Sequence, residues 1–114
     1  MSTLMIGWTT APSKEKASQL AEGLIESKLA ACVQIAGPIT SVYTWKGETE
    51  STQEYRLTLK FLPVKAEAIK NWVKANHPYE IPQWLAVTAC ETLPEYYQWA
   101  RDCCSREEAH VKVL

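Results

Sequence analysis

The sequence predicts an α+β fold of the ferredoxin-like kind, with the order β-α-β-β-α-β, an extended β-hairpin and an extra helix at the C-terminal end. Three observations lead there. The stretch from Ala30 to Lys60 reads as two long strands joined by a tight reversal. Two segments carry apolar residues at helical spacing, and two short runs, near residues 4–8 and 84–90, are apolar on both alternating faces.

The elements follow in order. Thr3 to Thr9 sets Leu4, Ile6 and Trp8 against Met5, which suits a central strand covered on both faces. Pro12-Ser13 opens a helix with Ser13 as N-cap; Ala17, Leu20, Ala21, Leu24 and Lys28 follow on one stripe, broadened by Ile25. The next strand begins at Ala31, so these pieces form a right-handed βαβ unit. It runs through Cys32–Ile35 and Ile39–Trp45, with Gly37-Pro38 marking an interruption or bulge and Lys46-Gly47-Glu48-Thr49 supplying the reversal. From there Tyr55, Leu57, Leu59 and Phe61 point one way and Glu54, Arg56, Thr58 and Lys60 the other.

Pro63 starts a second helix with Ala66, Ile69, Trp72 and Val73 inward, ended near Asn76 because Pro78 cannot continue it. His77-Pro78-Tyr79-Glu80-Ile81-Pro82 is an extended loop, since each proline biases its predecessor away from the α region. Trp84 to Cys90 is a fourth strand. Pro94 to Cys104 is a short helix with Tyr96, Trp99, Ala100 and Cys103 on one side, followed by a charged tail.

The 114 residues make one domain spanning 1–114. With 12 basic and 13 acidic residues the net charge is −1, which recommends neither nucleic acid nor an anionic membrane. The apolar run Leu4 to Trp8 is too short for a signal-peptide core or a membrane span. Cysteines at 32, 90, 103 and 104 have neither zinc-site nor disulfide-framework spacing, and a cytoplasmic protein is expected. Five Trp and five Tyr against one Phe lean toward a partner or ligand surface. Two helices cover one face of a four-stranded sheet, so an apolar second face implies self-association through that face and the long hairpin.

Several groups carry candidate chemistry. His77 and Glu80, in the proline-bracketed loop, offer an imidazole and a carboxylate to a divalent ion, or His77 makes a structural hydrogen bond there. Glu50 and Glu54 lie about 13 Å apart on a strand and suit hairpin hydrogen bonds and ion pairs better than joint catalysis. Lys60 beside Arg56 suits an anion, or equally a solvated or interface pairing. In Cys103-Cys104 only Cys103 falls on the apolar stripe, so its burial and the exposure of Cys104 are expected. Trp45, Trp84 and Trp99 read as core or interface residues. Other owners of this plan drop out. The Thr10-Ala11-Pro12-Ser13-Lys14 loop has neither the Arg and Gly of an acylphosphatase nor a metal-carrier CxxC, and Glu54, Arg56, Thr58 and Lys60 stand where an RNA-recognition module needs aromatics.

Thr10-Ala11-Pro12, Lys28 to Val33, Ile39 to Gly47, Glu54 to Lys60, His77 to Pro82 and Tyr96-Tyr97-Gln98-Trp99 together resemble the CutA divalent-cation-tolerance proteins over nearly the whole chain. The resemblance implies a homotrimer, PII-like in architecture, that responds to copper or other divalent cations or binds a small molecule. It implies a cleft between subunits to which Trp45, Glu54, Lys60, Tyr79 and Glu80 contribute, and no enzyme activity. Metal ligation proposed in that family uses a cysteine, a histidine and a glutamate where this chain has Thr9, Asn76 and Gln83, all weaker donors. Copper is therefore expected to bind weakly, through His77, Glu80 or His110. The usual glycine before the Tyr-x-x-Trp segment is also replaced, by the region Thr92-Leu93-Pro94-Glu95. Two rivals stand beside a binding or signalling trimer: an enzyme on a small anionic substrate, with Lys60 and Glu80 catalytic, and a structural trimer that presents a protein-interaction surface.

Overall fold

The computed structural model describes residues 3–105. Four strands, β1 (Met5–Ala11), β2 (Cys32–Trp45), β3 (Glu48–Phe61) and β4 (Leu85–Thr88), form one antiparallel sheet in the order β2-β3-β1-β4. Helices α1 (Lys14–Glu26) and α2 (Ala66–Asn76) cover one face, and α3 (Pro94–Cys103) adds a separate buttress. This is the βαββαβ plan with the additional helix.

The core follows from the alternation in β3. Leu57, Leu59 and Phe61 are fully buried against Ala17, Leu20, Ala21 and Leu24 of α1 and Ile69 and Val73 of α2. Ser13 caps α1 with a hydrogen bond accepted from the Lys16 amide at 3.1 Å. α1 stops at Glu26, so Lys28 is not on its stripe; it takes a left-handed conformation (φ 63°) just beyond the helix end, and its Nζ donates to the Cys103 carbonyl. Ile25 lies on the flank of α1 and is 41% exposed, so it does not widen the buried stripe. A single 3₁₀ turn, Pro63–Lys65, precedes α2 and absorbs the proline.

The β2–β3 hairpin gives the molecule its length, 53 × 31 × 23 Å. Its register shifts between Ala36 and Ile39, at the Gly37-Pro38 step, as expected of a bulge. The reversal is tighter than expected: Trp45 and Glu48 still pair, and only Lys46 (φ 52°) and Gly47 (φ 81°) turn the chain. Two consecutive left-handed residues match the twist of the strands, and glycine accepts that conformation without strain.

β4 is shorter than the apolar run around it. Trp84 precedes the strand and packs on Phe61, with ring centroids 5.8 Å apart. Leu85 and Val87 point to the uncovered face and are 52% and 48% exposed. In register they meet Trp8 and Ile6 of β1, which makes an apolar strip on the side away from the helices.

α3 packs Ala100 and Cys104 against Leu4 and Ala31, flanked by Leu62, Tyr96, Tyr97 and Cys103. The expected cysteine burial is thereby reversed: Cys104 is 3% exposed and Cys103 only half-buried. Cys104 stands four residues after Ala100, one full turn on, and so shares its buried side. Trp99 is exposed and stacks on Tyr96 rather than joining the stripe.

Candidate ligand-binding cleft

The polar edge of β3 becomes a site where it runs beyond the helices. Glu54 sits on the side opposite Leu57 and Leu59, yet it is only 8% exposed. A carboxylate removed from water needs donors, and three hydroxyls from three elements provide them. Ser41 of β2 donates to Oε1 at 2.7 Å; Thr10 of β1 and Tyr79 of the loop between α2 and β4 donate to Oε2 at 3.1 and 2.8 Å. Among the described residues no lysine or arginine pairs with Glu54, so its charge rests on hydroxyl dipoles alone.

The loop is fastened by His77. The Tyr79 amide donates to its Nδ1 at 3.1 Å, which leaves the proton on Nε2 to donate to the Thr10 carbonyl at 2.6 Å. The ring spans from the loop to the end of β1 and places Tyr79 over Glu54. Burial, and then the hydrogen bond and charge of Glu54, push the Tyr79 phenol well above its ordinary pKa.

Hairpin and loop enclose an open cleft of about 780 Å³, lined by Thr10, Ser41, Val42, Tyr43, Trp45, Glu54, Pro78, Tyr79, Glu80, Ile81 and Gln83. That volume is in the range of small-molecule sites. Its walls are aromatic and aliphatic, its floor is the Glu54 carboxylate, and Glu80 is exposed at its side. Among the described residues no basic side chain lines it.

Of the residues expected in a cleft, Trp45, Glu54, Tyr79 and Glu80 are brought together, and Lys60 is not among the lining. Lys60 stands six residues along β3 from Glu54, roughly 20 Å away, and its Nζ donates to Gln34 Oε1. Glu50 faces Tyr43 across the hairpin and takes part in none of the hydrogen bonds that hold Glu54. Thr10, Ser41 and Tyr43 complete the site and escaped the sequence reading. The signal available for them was Glu54 itself, whose hydroxyl partners become apparent only once the bulge fixes which β2 residues share its face.

The donors do not suit a metal ion within one chain. Both nitrogens of His77 are engaged in hydrogen bonds. Among the described residues no group of three His, Cys, Asp or Glu side chains is placed to hold a cation. Thr9 is 1% exposed, turned to the core side with its hydroxyl unpartnered; the Asn76 amide nitrogen donates to the Trp72 carbonyl at 2.8 Å; only Gln83 lines the cleft. His110 lies outside the described residues.

The family profile described as "CutA1 divalent ion tolerance protein" matches residues 5–103. The chain is 41% identical over 93 residues to the divalent-cation tolerance protein CutA of Thermus thermophilus, with 82% of this chain and 90% of that protein covered. It is 36% identical over 100 residues to the CutA homolog of Xenopus laevis, and covers 88% of this chain but 66% of that longer protein. Among solved structures, CutA1 from Ehrlichia chaffeensis superposes with a TM-score of 0.87 at 31% identity, covering 92% of this chain and 98% of that one. The rice CutA1 structure also gives 0.87, at 33% identity, covering 91% and 95%. With the strand order, the long hairpin and the profile agreeing over nearly its full length, the chain belongs to the CutA1 divalent ion tolerance family.

Proposed function

We propose that the chain works as a homotrimeric binding or signalling protein whose state is set by a small ligand or metal ion at the Glu54 cleft, and not as an enzyme. The observation that carries this reading is the Glu54 floor: a buried carboxylate held by three hydroxyls at the bottom of an aromatic cleft. Such an arrangement, with all three hydroxyls turned onto the carboxylate at the cleft floor, suits positioning and recognition of a ligand. Of the two ligand kinds the small molecule is favoured, because the metal donors within one chain are engaged or weak. A metal response then reaches the protein through a site completed by a neighbouring subunit.

The trimer is supported by the strip formed by Ile6, Trp8, Leu85 and Val87, which nothing among the described residues covers. The enzyme reading needs a cation in the cleft, and Lys60 stands outside it. A reducing compartment, the cytoplasm, is proposed from the cysteine spacing.

Light scattering at low micromolar concentration is expected to give three times the chain mass, and a monomer would remove the assembly. A thermal-shift screen of divalent metals, small anions and small organic cations tests the cleft. Compounds that raise the midpoint of the parent and fail to do so for Trp45→Leu support it. Turnover of any screened anion would replace this reading with the enzymatic one.

A further inference from the structure

Resting on the reading of the cleft as a ligand site, we infer that its ligand is an organic cation, an alkylammonium or quaternary ammonium compound. The lining of the cleft disfavours three other ligand classes. An anion would meet two carboxylates, Glu54 and Glu80, and among the described residues no lysine or arginine lines the cleft to offset them. A bare divalent metal would need several donors, and among the described residues no such group is assembled. A neutral apolar ligand would leave the buried Glu54 charge facing it without a counter-charge, which low-dielectric surroundings penalise.

A soft, bulky cation meets each condition. Glu54 already accepts three hydrogen bonds, so its charge is oriented and desolvated before any ligand arrives. A quaternary ammonium needs proximity to that charge and no further hydrogen bond. The aromatic rings of Tyr43, Trp45 and Tyr79 supply the faces on which such cations rest. One of these rings is used that way within the chain: Lys46 Nζ lies 5.8 Å from the centroid of the Trp45 ring. Glu80, exposed on the loop, adds a second negative charge beside the entrance.

Choline, with its uncharged tert-butyl isostere as control, tests the inference by calorimetric titration of the full chain. Choline is expected to bind at least tenfold more tightly than the isostere, because the two differ in charge and not in shape. Glu80→Gln, at an exposed position that does not threaten folding, is expected to weaken choline about threefold, the size of one partly screened charge. Trp45→Leu is expected to weaken it about tenfold by removing a cation–π face while keeping apolar bulk. Equal binding of choline and isostere overturns the inference, as does indifference of choline binding to both substitutions. If instead acetate, inorganic phosphate or copper(II) binds in a manner abolished by Trp45→Leu while choline does not bind, the cation class is wrong and the cleft remains the site. If none of these probes binds, the inference falls, and the wider screen alone decides the cleft.

Discussion

The two faces of β3 are made from alternate residues of one strand and solve opposite problems. The inner face, Leu57, Leu59 and Phe61, is buried by packing against α1 and α2, and its stability comes from apolar area that needs no particular direction. The outer face at Glu54 is buried almost as well, but only because Thr10, Ser41 and Tyr79 each aim a hydroxyl at one carboxylate. A core of the first kind tolerates a change of shape, whereas a site of the second kind depends on each partner and on the register that brings it near. The comparison teaches that the fold and the site can fail separately.

The largest expected effect is on the inner face. Phe61→Ala removes a fully buried ring that packs beside Trp84, and should cost about 3–5 kcal/mol in denaturant unfolding at fixed protein concentration. A loss below 1 kcal/mol would mean that the inner face is not the stabilising one.

Smaller, and specific to the outer face, is Glu54→Ala. It leaves three hydroxyls without their acceptor and should cost about 2–3 kcal/mol. Glu54→Gln keeps an acceptor oxygen, and the hydroxyls can rotate to meet the amide, so about 1 kcal/mol is expected. Equal losses in the two variants would show that the pocket is held by shape and not by hydrogen bonds.

The smallest effect is a pH dependence. The folded state raises the Tyr79 pKa, so it favours the neutral phenol; this contribution is whole below the ordinary tyrosine value of about 10 and is lost as pH climbs above it. The parent should lose stability through that alkaline window more steeply than Tyr79→Phe. Parallel curves would remove the Tyr79–Glu54 coupling.

How much of this was legible depended on the range of the interaction. The core was legible because alternation in Tyr55 to Phe61 and the stripes of the first two helices are local patterns. The cleft membership of Trp45, Glu54, Tyr79 and Glu80 came with the family resemblance. The hydroxyl cradle was not legible: Thr10, Ser41 and Tyr79 are 44, 13 and 25 residues from Glu54, and nothing local links them. Lys60 lies outside the cleft of the single chain for a simpler reason. Sharing a strand face with Glu54 does not bring a residue near it when it stands six positions further along the strand. The cysteine reversal at 103 and 104 came from setting the stripe on Tyr96 and Trp99, when the buried side runs through Ala100 and Cys104.

The central claim is that the outer end of β3 binds the ligand while the inner end only holds the fold. The most direct test is residue-resolved NMR of the assembled protein titrated with choline and, separately, with copper(II). Choline is expected to shift the amide signals of Trp45, Glu54, Tyr79 and Glu80 together with the Trp45 indole, and to leave Leu57 and Leu59 unmoved. Shifts centred on Lys60 or on Cys103, or a choline titration that moves none of the cleft residues, would contradict it.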